Sequence, residues 1–145
     1  AISGHNVDFK MLATDLAHTV LDTARQGEYS EDQMKGIPKS NLLKYFTKRK
    51  GQKTNFFTAK PIIRNPISFK LLNLSRPPFP MKGPFDVIFI RNVMIYFDKR
   101  VRFNLLREAY RLLKPDGYLM VGHAESLTGF DVPFKPVKPS VYIKL

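Results

Sequence analysis

Apolar residues recur along this chain at two spacings, one typical of buried strands and the other of helices. Residues 7–13 carry β-branched and apolar residues before a polar loop, which predicts a strand. Apolar residues then follow at helical spacing up to Gly27, which stands where a C-capping glycine ends a helix. Residues 67–74 predict another strand, and the continuous apolar run at residues 85–90 predicts a fully buried central strand.

The second half of the chain repeats this order. Asp98 is placed to cap the clearest helix, which has apolar residues on one side and arginines mostly on the other. Residues 118–122 predict a short strand, and residues 140–144 alternate as a last strand, antiparallel and near an edge. Because strands and helices alternate, the predicted fold class is α/β with a mostly parallel sheet.

The middle of the chain departs from this alternation. Ser30 and Gln33 form a capping-box pattern that predicts a short helix, stopped by the glycine and proline that follow. Ser40 is predicted to cap a further helical turn through Phe46. Residues 47–65 consist of short polar and aromatic pieces broken by glycine and proline, which predicts small antiparallel strands inserted into the α/β domain.

Length and composition narrow the class of protein. The 145 residues, 43% apolar and 25% charged, suit one packed domain spanning residues 1–145. No apolar window approaches the roughly 20 residues of a membrane span, and no signal sequence stands at the start, so we expect a cytoplasmic protein without membrane insertion. With no cysteine and with histidines far apart at positions 5, 18 and 123, no metal site is predicted.

The net charge of +12 is concentrated in one stretch. No acidic residue lies between Gln33 and Phe85, whereas Lys and Arg recur throughout that stretch. Such a block predicts a face that attracts an anionic partner, either an acidic protein or a nucleic acid whose bases stack on Phe56 and Phe57; a solvated surface is the third interpretation. The densest part is called here the basic segment and comprises Lys48, Arg49, Lys50 and Lys53.

Polar side chains follow several of the predicted strands. In an open α/β sheet, ligands bind beyond the carboxyl ends of the strands, where Asp15, Asn73, Arg91 and Asn92 are predicted to lie. An aspartate after a strand can accept hydrogen bonds from both ribose hydroxyls, or it can cap the next helix. Asn73 can bond an adenine edge or can serve as a turn residue.

The order of short motifs along the chain resembles that of the CheR family. The resemblance runs from about residue 7 to the C-terminus, and the block at residues 91–98 is its most specific part. The matching motifs lie at residues 13–16, 20–24, 27–29, 43–46, 72–74, 85–98, 113–119 and 122–127.

CheR proteins are chemotaxis-receptor glutamate methyltransferases that convert S-adenosylmethionine to S-adenosylhomocysteine. The resemblance implies a partial Rossmann-like methyltransferase sheet, with an inserted antiparallel β subdomain at residues 45–65 that docks on the receptor. It implies cytoplasmic acidic receptor helices as the partner and gives the basic segment the role of binding them.

The resemblance also implies roles for individual residues. Asp15 would bind the ribose of the cofactor, and Asn73 with Leu74 would bind the adenine. Arg91 and Asn92 would lie near the transferring methyl group. Tyr96 would line the acceptor side as the catalytic residue and contribute a hydrogen bond; a core tyrosine is the alternative.

The family pattern begins with a helical domain and a first strand with a Gly-rich cofactor loop, and neither precedes Asp15 in this sequence. We therefore expect methyl transfer from an intact parent protein rather than from this chain alone, and two strand edges left unpaired. Those edges would pair with a missing N-terminal half or with a second copy, or the strands would close into a smaller sheet. Two other functions remain open, namely a degenerate non-catalytic nucleotide- or protein-binding module and nucleic-acid binding through the basic segment.

Overall fold

The structure is a computed structural model that describes residues 8–50 and 55–145, and the chain divides into two compact units, residues 1–72 and 73–145. No helix in the described ranges has the length and apolar character needed to cross a membrane. The first unit contains, in chain order, β1 (Met11–Asp15), α1 (His18–Gln26), β2 (Glu28–Ser30), α2 (Lys39–Tyr45), β3 (Phe46–Lys50), β4 (Asn55–Ala59), α3 (Pro61–Arg64) and β5 (Ile67–Leu71). The second contains β6 (Phe85–Ile90), a 3-10 turn (Met94–Tyr96), α4 (Lys99–Leu112), β7 (Leu113–Val121), β8 (Phe134–Lys138) and β9 (Val141–Lys144).

A parallel pair of strands, β1 and β5, carries the predicted ligand-binding edge of the first unit. The strand predicted at residues 7–13 is found at Met11–Asp15, and residue 7 lies outside the described residues. The strand continues to Asp15 because Asp15 still pairs with Leu71. The helix that follows is confirmed, and its capping glycine, Gly27, has the positive φ of 62° that this role requires.

The first unit also holds a three-stranded antiparallel sheet in the order β2-β4-β3. β3 and β4 confirm the antiparallel strands predicted within residues 47–65, whereas Pro61–Arg64 of the same stretch forms the helix α3, which was not predicted. The helix predicted after Ser30 is wrong, although the capping-box bonds form: the Ser30 N–H donates to Gln33 Oε1 at 2.9 Å and the Gln33 N–H to Ser30 Oγ at 3.4 Å. Ser30 pairs with Phe56 in the sheet, so its backbone stays extended and only turns follow.

The helix α2 confirms the predicted turn before Phe46 but not its cap. It begins at Lys39 after Pro38, one residue before Ser40, and no side chain caps it. Proline fixes its own φ near the value that precedes a helix, so the chain turns without a hydroxyl acceptor. Ser40 therefore lies inside α2 rather than at its cap.

The second unit is a mixed sheet in the order β6-β7-β9-β8, with β6 and β7 parallel and joined through α4. The cap of α4 is confirmed, since Asp98 Oδ1 accepts the Val101 N–H at 2.8 Å. The apolar side of α4 contributes Leu105, Leu106, Ala109 and Leu112 to the core of this unit. The α/β class is confirmed, with parallel strand pairs in both units.

One strand position in this sheet differs from the prediction. β6 is an edge strand among the described residues rather than a buried central one, and Phe89 on it is 61% exposed. β9 is antiparallel and lies next to the edge strand β8, which agrees with its predicted position near an edge. β8 escaped prediction because prolines interrupt it, and Pro136 is tolerated there since an edge strand leaves one row of N–H groups unpaired.

Two sets of polar contacts connect α4 and its C-terminal end with other parts of the second unit. Glu108 Oε1 accepts the Phe79 N–H at 2.7 Å, while Arg111 donates to the Glu108 carboxylate and to the carbonyl oxygens of Phe79 and Met81. This pair pins the proline-rich loop before β6. From β9, Lys144 Nζ donates to the Leu113 carbonyl oxygen at 2.7 Å, which satisfies an acceptor just past the end of the helix.

Candidate functional site

Asp15 is the last residue of β1 and is half-buried. Its Oδ1 accepts the Ala17 N–H at 2.8 Å, and its backbone oxygen accepts the Leu72 N–H at 3.0 Å. Among the described residues no donor contacts Oδ2. One carboxylate oxygen therefore orders the turn into α1, and the other keeps the free acceptor that a ribose hydroxyl needs.

Asn73 opens the second unit, and Leu74 beside it is half-buried. Asn73 Oδ1 accepts both the Ser75 N–H at 2.9 Å and the Ser75 hydroxyl at 2.7 Å. The Asn73 side chain thus acts as a turn residue, the second of the two roles predicted for it from the sequence. Its Nδ2 has no acceptor among the described residues, so the amide can still donate to a ring nitrogen of a purine.

The segment after β6 carries the residues of the most specific motif. Arg91 and Asn92 are exposed, and Asn92 has a φ of 57°, a left-handed conformation that asparagine tolerates better than most residues. The next turn buries Met94 in the core and leaves Tyr96 80% exposed. Tyr96 is therefore not a core tyrosine of this unit, and its phenol is open to a ligand.

A buried carboxylate holds this segment in place. Glu125, 6% exposed, accepts four backbone N–H groups, two at each oxygen. Oε2 accepts from Gly122 at 2.6 Å and Asn92 at 3.0 Å; Oε1 accepts from Val93 at 2.9 Å and Met94 at 2.7 Å. The carboxylate thus joins the segment after β6 to the segment after β7.

The surroundings of Glu125 favour its ionised form. Burial raises the pKa of the Glu125 carboxyl, but the four backbone N–H bonds lower it further, so that the net pKa lies below its usual range. Gly122 is required for this packing, because a Cβ there would stand 2.6 Å from Asn92 Oδ1 and 2.7 Å from Glu125 Oε2.

The basic segment lies on β3, except Lys53, which is outside the described residues. Lys48 Nζ lies 3.3 Å from Glu31 Oε1 and 5.6 Å from the ring centre of Phe57. Arg49 lies 4.0 Å from Glu28. The acidic partners come from the chain before residue 33, so the sequence block without acids does not correspond to a surface without acids.

Alternation along β3 also divides the basic segment. Successive side chains of a strand point to opposite faces of its sheet, so Lys48 and Arg49 lie on different faces. Lys48 is opposite the buried Phe57, and Arg49 is opposite Phe56, which is 42% exposed. The expected single positive face is therefore two smaller ones.

The structure groups the predicted site residues by unit. Arg91, Asn92 and Tyr96 share one segment of the second unit, which also contains Asn73 and Leu74, whereas Asp15 belongs to the first. Two surface hollows of about 440 and 560 Å³ lie within the individual units, and none of these residues lines them. Among the described residues no cluster of three metal-ligating side chains occurs.

Asp15 Oδ2 and Asn73 Nδ2 have no partner among the described residues, and Tyr96 is exposed. Sequence reasoning missed the contacts of Glu125 with the segment after β6. The available signal was an acidic residue three positions after a glycine at a strand end, a spacing at which a side chain folds back onto the backbone.

Comparison with known proteins gives a consistent picture. The family model described as CheR methyltransferase, SAM binding domain, matches residues 2–143. The chain is 40% identical to a chemotaxis protein methyltransferase of Borreliella burgdorferi over 96% of this chain and 48% of that protein. It is 36% identical to the one of Escherichia coli over 92% of this chain and 47% of that protein.

The chain thus spans about half the length of the curated relatives it matches. Among solved structures, a SAM-dependent methyltransferase from Methanosarcina mazei matches 77% of this chain and 50% of its own, at 20% identity and a TM-score of 0.37.

Proposed function

This chain belongs to the family described as CheR methyltransferase, SAM binding domain, and we propose that it supplies cofactor-binding and catalytic residues for the O-methylation of glutamates on acidic receptor helices. The observation that carries the proposal is the segment after β6. There the motif most specific to the family stands at the carboxyl end of a parallel strand, with Arg91, Asn92 and Tyr96 exposed. That is where ligands bind in open α/β sheets.

Each side chain has a part in holding S-adenosylmethionine. Asp15 accepts from the ribose hydroxyls through Oδ2, Asn73 donates to the adenine through Nδ2, and Leu74 packs on the purine. Arg91 and Asn92 border the region of the transferring methyl. When bound, the cofactor supplies an electrophilic methyl group on a sulfonium.

The acceptor needs no base from the protein. A glutamate with an ordinary pKa near 4.3 is ionised at neutral pH. Its carboxylate oxygen forms the new O–CH₃ bond as the S–CH₃ bond breaks, and the electron pair of that bond stays on sulfur. The residues of the chain therefore act by aligning the reactants and excluding water, and Tyr96 donates a hydrogen bond on the acceptor side.

Residues 45–65, together with β2, are proposed as the receptor-docking subdomain. Lys48, Arg49, Lys50 and Lys53 meet acidic residues of the receptor helix. Part of this charge is already paired with Glu28 and Glu31, so the surface favours a partner acidic enough to compete with exposed ion pairs that are worth at most about 1 kcal/mol each. Speed of encounter rather than tight binding is the expected benefit.

The deciding experiment uses the complete gene product, S-adenosylmethionine labelled in its methyl group and a receptor cytoplasmic fragment. We expect base-labile label on the receptor, released as methanol at alkaline pH, because a glutamate methyl ester hydrolyses there. Label that resists alkali would contradict the proposed acceptor chemistry. Binding of S-adenosylhomocysteine without transfer would instead identify the non-catalytic module, and receptor-independent binding of nucleic acid would favour the third function.

A further inference from the structure

Glu125 differs from the other acidic residues of the described chain in what it bonds. Glu108, the other buried carboxylate, has Arg111 as a counter-charge. Glu125 has no cationic partner among the described residues, and its four bonds all come from backbone N–H groups. A buried charge held without a counter-ion stabilises only the backbone arrangement that satisfies it, because any other arrangement leaves it unpaired.

That arrangement is demanding. The N–H groups of three consecutive residues, Asn92 to Met94, must converge on one carboxylate, which requires the left-handed conformation of Asn92. A residue held at positive φ at a strand end is a typical site of stored backbone strain with a functional role. The same segment begins with Arg91 and ends at the exposed Tyr96, so its backbone sets where both side chains point.

We propose that Glu125 is a positioning residue for methyl transfer, which fixes the backbone of residues 92–94 and thereby the side chains of Arg91, Asn92 and Tyr96. The inference rests on the proposed function for its kinetic consequence. Its structural consequence, that Glu125 fixes the backbone of residues 92–94, does not depend on the proposed function. Gly122 is part of the same arrangement, because a Cβ at this position would clash with Asn92 and with the Glu125 carboxylate.

The test compares Glu125→Gln with Glu108→Gln in the complete gene product. Glutamine keeps the size of the side chain, but its NH₂ group faces two N–H donors and cannot accept them. We expect kcat to fall at least tenfold in Glu125→Gln, with KM for S-adenosylmethionine changed less than threefold because Asp15 and Asn73 are untouched. Glu108→Gln should retain both constants at temperatures where it is folded.

Amide hydrogen exchange supplies the structural readout. Protection of one pair of amides, either Gly122 with Asn92 or Val93 with Met94, should drop at least tenfold in Glu125→Gln, depending on which pair the NH₂ group faces. Both pairs should stay unchanged in Glu108→Gln, while the α4 amides of Leu105 and Leu106 stay protected in both variants. Glu125→Ala is a second variant, measured at a temperature at which its α4 amides are still protected. There acetate, but not chloride at equal ionic strength, should restore activity by occupying the vacated carboxylate position.

Three results would overturn the inference: a kcat within threefold of wild type in Glu125→Gln, an equal loss of kcat in both variants, or full protection of all four amides that bond Glu125. An inactive wild-type protein would refute the proposed function instead. In that case lost protection in Glu125→Gln still supports the hold of Glu125 on the segment, and retained protection overturns it.

Discussion

The segment after β6 and the sheet β2-β4-β3 use charge in opposite ways. In the segment, the ionised Glu125 is buried and receives four backbone N–H groups. On the sheet, Lys48 with Glu31 and Arg49 with Glu28 form exposed pairs. A buried charge fixes one geometry because leaving it unsatisfied is costly, whereas exposed pairs exchange readily with water. The first arrangement suits a site that must align reactants, and the second suits a surface that must meet a partner.

The largest expected difference between the two regions is the stability lost when an acidic residue is replaced by alanine. Glu125→Ala leaves buried N–H groups without an acceptor and should lower the free energy of unfolding by roughly 2–4 kcal/mol. Glu31→Ala removes an exposed ion pair with Lys48 and an exposed hydrogen bond from Asn55, and it should change the free energy of unfolding by no more than about 1 kcal/mol. Urea titrations of both variants measure these values, and equal changes would remove the distinction between the two regions.

Asp15 lies between these extremes, with one oxygen engaged and one free. Asp15→Ala should weaken binding of S-adenosylhomocysteine to the complete gene product by about 1.5–3 kcal/mol, the value of a hydrogen bond to a charged group. Asp22→Ala is the matched control, since Asp22 is an exposed acid on α1 paired with Arg25. Calorimetric titration measures both, and similar losses would show that the ribose assignment is wrong.

Acidic pH should affect the stability of the wild-type protein and of the Glu125→Gln variant differently. The pKa of Glu125 is lower in the folded protein than the ordinary value near 4.3 of the unfolded chain, because the backbone bonds outweigh the effect of burial. Its stabilisation is therefore complete above the unfolded pKa and is lost as the pH falls through the folded pKa. The difference in unfolding free energy between wild type and Glu125→Gln should be constant from pH 5 to pH 7 and shrink below about pH 4. A difference that persists at low pH would mean that the charge is not what stabilises the segment.

Charge reversal tests the exposed region. Changing the basic segment to glutamate should slow receptor methylation by about tenfold at low salt and by less at high salt, because electrostatic steering is screened beyond about 8–10 Å. The affinity for S-adenosylhomocysteine should not change. A control with the same net charge carries four reversals at exposed residues of the second unit: Lys82, Arg107, Lys135 and Lys138.

If the control slows methylation equally, net charge rather than location is responsible. If the reversed basic segment loses nucleic-acid binding while receptor methylation continues, the partner is a nucleic acid. Loss of neither activity would leave the basic segment as an ordinary solvated surface.

The smallest effect is expected at Asp116, a second residue with a positive φ, 58°, within the irregular part of β7. Asp116→Gly should stabilise the chain by about 0.5 kcal/mol, since relief of left-handed strain slightly exceeds the added entropy of glycine in the unfolded chain. Thermal unfolding measures the shift. A lower melting temperature for Asp116→Gly would show that the left-handed conformation of Asp116 stores negligible strain.

Local signals predicted most helices of this fold well. Gly27 and Asp98 cap their helices as expected, because a cap depends on a few neighbouring residues. The capping box of Ser30 and Gln33 failed as a helix signal for a tertiary reason, since pairing with Phe56 outweighs a local preference. The order of strands in the sheet, with β6 at an edge, depends on pairing partners that no local pattern specifies.

The same limit applies to the candidate site. The strand ends near Asp15 and Arg91 could be predicted, because runs of mainly apolar residues end there. The pairing of Lys48 with Glu31 and the bonds from Glu125 to residues more than 30 positions earlier could not, since they join distant parts of the sequence. Charge counted along a sequence is therefore a weak guide to the charge of a surface.

The bonds of Glu125 also constrain how the protein can move. One carboxylate ties Gly122, which follows β7, to the three residues after β6, so the two loops cannot separate without breaking buried hydrogen bonds. Hinges form where a few residues absorb a change in backbone angles, and this junction cannot be one of them. We therefore expect the two loops to move together as one unit, so that a hinge would lie elsewhere in the chain.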